Sequence, residues 1–230
     1  SLKEFGYYAL AWSVAGGLGQ LISPVFSAFY PRLTQAILQT DENLIRKIYH
    51  QGCQLMSLVI VPVALTLAFF SSEILQIWTQ NPDIAKNAHL ILSIVIVGTM
   101  LNGLMNMPYA LQLAYGWTGL AFKANLIAIC LLVPLVIVGA GRFGAVGAAS
   151  AWVVLNAGYV LFSIHWQHRH LLPTEKHRWY WIDVLPVVML VVFMMLIARE
   201  VLQSMAGVSQ IVVLLKILVV YVVSVMGSML

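Results

Sequence analysis

Tyr8, Trp12, Gln20 and Ser23 recur at helical spacing within 5–30, a stretch that contains no charged residue. Gly16 and Gly19 fall on the same stripe, and Leu10, Val14, Leu18, Leu21 and Val25 form the opposite face. One face is thus aromatic, small and polar while the other is greasy. It offers no acid, base or nucleophile, so its chemistry is recognition by ring faces, amide and hydroxyl. Two readings stay open: the wall of a water-filled cavity, or a small-residue surface that lets a neighbouring helix approach. Pro24 cannot donate to the helix and is expected to kink it.

Asn102 and Asn106, four apart, share a helix face and precede Pro108 and Gln112. Asn125 and Asn156 lie singly in later apolar runs. An amide in such a place either hydrogen-bonds a neighbouring helix or contacts a substrate, and the spacing allows both. For Lys216, inside an apolar run, snorkelling, a salt bridge to another part of the protein and a substrate role compete. His165, His168, His170 and His177 crowd one connection, but no cysteine and no well-placed carboxylate pair completes a metal cage. That connection reads as a basic loop with an aromatic belt, and no metal or other cofactor is expected. Cys53 and Cys130 have no His or Cys neighbour at ligand spacing and read as small core residues. GRFGAVGAASAW follows no strand and carries no lysine, so it is a hairpin entering a small-residue helix rather than a nucleotide loop. Nothing in the chain marks an enzyme.

The elements that position these residues live in lipid. Charged residues make up 9% and hydrophobic residues 61% of the 230, against about 25% charged in an ordinary soluble domain. The fold is therefore an all-α integral membrane protein, because the apolar runs are continuous rather than alternating. Seven spans are expected, at about 5–30, 52–71, 88–110, 118–140, 144–165, 183–203 and 210–230, forming one membrane domain over 1–230. The chain starts at the threshold of one span and stops inside another, so a preceding N-terminal part is expected to be missing. No dense basic patch with interleaved aromatics appears, and nucleic acid is not an expected partner.

Lysine and arginine placement sets the orientation. Arg32, Arg46, Lys47, Lys123, Arg169, Lys176 and Arg178 fall on one side, and Lys3, Lys86, Arg142 and Arg199 on the other. The richer side is expected to be cytoplasmic, which places residue 1 outside. On that side 31–51 carries Leu33, Ile37, Leu44, Ile45 and Ile48 among charges of both signs, the pattern of an amphipathic helix lying at the interface. On the other side Trp78 and Asn81-Pro82 suit an interfacial hairpin.

Gly6-Tyr7-Tyr8-Ala9, the exit Pro31-Arg32-Leu33, the mixed-charge linker from Asp41 to Lys47, and the hairpin Phe143 to Ala151 occur in this order along the chain. In order and spacing they resemble the oligosaccharide flippases of the MOP exporter superfamily. The resemblance implies the C-terminal lobe of a MATE-like two-lobed helical bundle in a bacterial inner membrane, with residue 1 on the periplasmic side. It implies a carrier, not an enzyme, that moves undecaprenyl-pyrophosphate-linked oligosaccharide to the periplasmic leaflet by alternating access, for polysaccharide or O-antigen (lipopolysaccharide) biosynthesis. Its partners would be that lipid-linked oligosaccharide, membrane lipids, and polysaccharide polymerase and chain-length machinery. The first two helices of such a lobe line the cavity, so Tyr8, Trp12, Gln20 and Ser23 are the candidate substrate contacts it implies; Asn102 and Asn106 are cavity candidates by their own shared face. Gly16, Gly19, Pro24 and Pro108 are the candidate hinge and packing positions. The alternatives are ion-coupled multidrug efflux of the MATE type, which Asp183 and Glu200 at span ends disfavour, and a membrane polysaccharide polymerase or ligase.

Overall fold

The computed structural model describes residues 2–203, so the expected span 210–230 and Lys216 lie outside the described residues. Helix α1 (Leu2–Gly16) and α2 (Gly19–Leu38) form one rod, interrupted at Gly17 and Leu18. There the backbone N–H groups reach carbonyls only three residues back, at Val14 and Ala15. Helix α2 runs through Pro24 and Pro31 without a break, so the interruption of the rod falls at the glycines and not at Pro24. Adjacent glycines are the weaker point, since each costs a helix about 1 kcal/mol relative to alanine. Ala11, Ala15, Leu18, Ile22, Val25, Phe29, Leu33 and Ala36 form the buried stripe of the rod.

Asp41 opens α3 (Glu42–Phe69) by accepting the Leu44 N–H, after a turn in which Thr40 takes a positive φ of 55°. The stretch 31–51 is therefore the paired ends of two long helices, not a separate interfacial helix. Its apolar residues Leu33, Ile45 and Ile48 are buried in the bundle, which removes the face that lipid headgroups would have taken. At 28 residues, α3 is about 42 Å long and outreaches a hydrocarbon core of about 30 Å.

Helix α4 (Ser71–Thr79) leads through left-handed Gln80 to Asn81, whose side chain caps α5 (Pro82–Leu104) by accepting from Asp83 and Ile84. Pro82 at the first helical position completes the expected turn. Between α5 and α6 (Asn106–Ala114) the helix breaks at Met105. Pro108 lacks the N–H that the Leu104 carbonyl would receive, which gives the break its cause. Gly116 ends α6 in the left-handed region at φ 68°, with Trp117 donating to the Gln112 carbonyl and Gly116 to Leu113.

Residues 118–158 are helical throughout except at Gly144, where φ 60° and ψ −142° fold α7 (Thr118–Gly158) back on itself. A β-carbon on Gly139 would stand 2.7 Å from the Gly147 carbonyl oxygen, so the two arms touch backbone to backbone. The arms hold the expected spans 118–140 and 144–165. Leu126, Ile129, Val133 and Ile137 on the first arm face outward, as lipid-bathed side chains do. A π turn (Tyr159–Ser163) then leads to α8 (Ile164–His170). Helix α9 (Glu175–Arg178), a second π turn (Trp179–Val184) and α10 (Leu185–Gln203) follow as one rod. Helices α3 and α5 are central: α3 packs on α2, α5 and α10, and α5 on α1, α3, α4 and α7. Tyr49, Met56, Ile60, Ile96 and Met107 fill the space between them. Five stretches among the described residues are long and apolar enough to cross a membrane, and the fourth, Thr118–His170, is the folded-back pair.

Candidate functional site

Two polar assemblies stand out in this apolar bundle. The first is a cleft of about 230 Å³ between α5–α6 and the arms of α7. Asn102 and Asn106 line it, joined by Tyr109, Gln112, Asn125 and Tyr159. Asn102 Nδ2 donates to Asn156 Oδ1 at 2.9 Å, and Asn156 Nδ2 to the Trp152 carbonyl at 2.8 Å, so α5 is tied to the second arm of α7. Asn106 Nδ2 donates to the Asn102 carbonyl at 3.1 Å. Across the hairpin the Tyr159 hydroxyl donates to Asn125 Oδ1 at 2.8 Å. Gln112 Nε2 donates to Gln167 Oε1 at 2.7 Å, but Gln112 Oε1 is buried with no hydrogen-bond partner. Such an orphan acceptor costs about 1–3 kcal/mol, a penalty that a ligand hydroxyl would remove. No ionisable carboxylate or basic side chain lines this cleft. Its volume lies below the about 300–1,000 Å³ of a complete ligand pocket, so alone it holds part of a ligand.

The remaining candidates on α1 and α2 stand elsewhere. Trp12 packs on Trp152 with ring centroids 5.2 Å apart, and on Tyr8 at 6.2 Å. Its indole N–H is buried without a partner. Trp152 in turn occupies the space a side chain at Gly98 would take and donates to Thr99 Oγ1 at 3.3 Å. Gln20, Ser23, Gly16 and Gly19 are exposed on the rod and line neither cleft, and Pro24 beside them is exposed as well. Pro108 is buried, and its carbonyl accepts from Gln167 Nε2 at 3.0 Å.

The second assembly escapes the sequence reading. His50, on α3, is 1% exposed and lies between two carboxylates. Its Nε2 is 2.9 Å from Glu175 Oε2, and its Nδ1 is in hydrogen-bond contact with Asp183 Oδ2. Asp183, expected near a span end, is fully buried, and its Oδ1 accepts from Gln54 Nε2 at 2.9 Å. Glu175 Oε1 accepts from Arg46 at 3.3 Å, and Arg46 also reaches Glu42 at 3.3 Å. The Tyr115 phenol stands within electrostatic reach of both; burial first, then the Glu42 charge, pushes it up from the ordinary tyrosine value.

His168, expected in a basic loop, is buried too. Its Nδ1 faces the Ile164 carbonyl at 2.9 Å and must donate, which leaves Nε2 to accept from the Tyr49 hydroxyl at 3.1 Å. Cys53 is buried as expected, whereas Cys130 is exposed on the outer arm of α7.

The π turn explains how Glu175 and Asp183 share one imidazole. Eight residues apart, they would be offset by about 80° around a regular α-helix. The wider winding of Trp179–Val184 takes up that offset and stacks them on one face. A signal was available only in part: Asp183 follows the aromatic run Trp179-Tyr180-Trp181 and opens an apolar segment, yet nothing local points to His50.

A family model described as MatE matches residues 3–138, more than half of the 230. No curated protein matches the chain.

Proposed function

The chain belongs to the MatE family, whose members are membrane transporters rather than enzymes, and from that premise we propose that its cargo is a lipid-linked oligosaccharide. On this reading it is a flippase of the bacterial inner membrane, delivering undecaprenyl-pyrophosphate-linked glycan to the periplasmic leaflet by alternating access. The observation that carries it is the lining of the first cleft. Asn102, Asn106, Asn125, Gln112, Tyr109 and Tyr159 are uncharged, rich in donors and acceptors, and include an unpaired acceptor. Sugar hydroxyls satisfy amides and phenols of this kind, and aromatic faces stack on sugar rings.

A second reading, ion-coupled efflux of cationic molecules, is favoured by one observation. Asp183 and Glu175 are buried acids, so the bundle does hold carboxylates away from water. They are however already paired with His50, Arg46 and Gln54.

The test is made in the complete protein, in its native cells, with surface polysaccharide and drug sensitivity measured side by side. Asn106→Ala and Tyr109→Ala, both in the lining of the cleft, are expected to reduce surface polysaccharide without reducing the protein level. Normal polysaccharide in both variants would overturn the cavity assignment. Unchanged polysaccharide on deletion, with raised drug sensitivity, would favour efflux.

A further inference from the structure

His50 faces two acceptors at once, and that poses a counting problem. An ionised carboxylate only accepts hydrogen bonds, and a neutral imidazole carries a single N–H. Contacts from both ring nitrogens to Asp183 and Glu175 therefore require two protons in the two gaps, of which neutral His50 supplies one. Among the described residues no neighbour places a proton in the second gap, although Arg46 Nε and Trp179 Nε1 are buried donors without a partner. On α3, Arg46 is engaged with Glu175 Oε1 and Glu42, and Gln54 with Asp183 Oδ1. Tyr49 gives its hydroxyl proton to His168 on α8. In the π turn, Tyr180 gives its own to the Val160 carbonyl. Cys53 is buried beside Tyr49 and Trp179, and Tyr115 reaches only Glu42 and Arg46.

We propose that His50, Asp183 and Glu175 form a binding site for one exchangeable proton, which holds α3 to the rod that begins with α9. With that proton bound, two carboxylates, one imidazolium and the Arg46 guanidinium sum to zero charge. Without it, one ring nitrogen turns a lone pair toward a buried carboxylate oxygen, and one of the two contacts becomes repulsive. The proton has a route: a cleft of about 400 Å³ beside His50 and Glu175 is also lined by Lys47, Gln51 and Arg178, all exposed. Raising the pH thus loosens 175–184 from α3, whatever cargo the transporter moves.

Asp183→Asn separates this from a merely structural contact. The amide oxygen keeps accepting from Gln54, while the amide nitrogen donates to His50 Nδ1, so a neutral imidazole satisfies both carboxyl-side partners. Glu175→Gln does the same on the other side, its oxygen retained by Arg46. Hydrogen exchange of 175–184 is measured by mass spectrometry on the complete protein in lipid nanodiscs. Wild type and variant are compared at each pH, so the intrinsic base catalysis cancels. The ratio of wild-type to Asp183→Asn exchange is expected to rise several-fold between about pH 5 and about pH 8. Glu175→Gln is expected to match Asp183→Asn, and the double variant, with two amides facing one N–H, to exchange faster than either. A flat ratio, or single variants that exchange faster than wild type at about pH 5 or fail to fold, overturns the proposal. That failure would leave the transport reading intact.

Discussion

The amide cleft around Asn102 and the ionic cluster around His50 are built on the same local device and do opposite things with it. Each borders a π turn, Tyr159–Ser163 for the cleft and Trp179–Val184 for the cluster, and the Tyr180 hydroxyl joins the two by donating to the Val160 carbonyl. A π turn disrupts the regular carbonyl pairing of the helix and takes in an extra residue. In the cleft this presents Tyr159 and Ser163 to open space. In the cluster it brings Glu175 and Asp183 over one imidazole. Neutral groups tolerate an unmet partner such as Gln112 Oε1 at about 1–3 kcal/mol. Buried ions do not, so every carboxylate oxygen of Asp183 and Glu175 is engaged. The cleft leaves an acceptor unmet among neutral groups, and the cluster pairs each of its carboxylate oxygens.

Substitutions on each side break this contrast by different amounts. His50→Ala leaves Asp183 buried without its imidazole partner and is expected to destabilise the protein by about 3–5 kcal/mol, read as lost thermal stability in detergent; a change within error would show that the cluster is solvated. Asn102→Ala removes one interhelical hydrogen bond and strands Asn156 Oδ1, an expected loss of about 1–3 kcal/mol. The smaller Tyr180→Phe effect, about 1 kcal/mol or less, is expected together with faster hydrogen exchange in 159–163, since the link between the π turns is gone. Smallest in stability is Asn106→Ala, whose amide bonds only the carbonyl one turn back on its own chain. Its transport activity is nevertheless expected to fall several-fold if the cleft receives cargo; unchanged export at unchanged protein level would reduce the cleft to a packing defect.

Much of the backbone was legible beforehand for local reasons. Asn81-Pro82 predicted a capped turn, the glycine hairpin predicted the fold-back at Gly144, and the Asn102–Asn106 spacing predicted a shared face that now lines a cleft with both residues. The departures also have local causes. The rod is interrupted at Gly17 and Leu18, one to two turns before Pro24, where adjacent glycines weaken the helix. In 31–51 an amphipathic pattern suited an interface and a helix hairpin equally, and only the packing of Leu33, Ile45 and Ile48 distinguishes them. For the stripe of Tyr8, Trp12, Gln20 and Ser23, Trp12 found an aromatic partner in Trp152, a residue 140 positions away.

The sequence by itself determined that this chain lies in lipid and that it is helical, because hydropathy and periodicity act within a turn or two. It also carries the family's pattern over 3–138. The tertiary structure alone decided which charges meet. His50 is 125 residues from Glu175 and 133 from Asp183, so no periodicity connects them. Their joint register depends on the winding of one π turn and on α3 packing beside that rod. Burial then makes the meeting obligatory, since a carboxylate removed from water must find a proton or a partner.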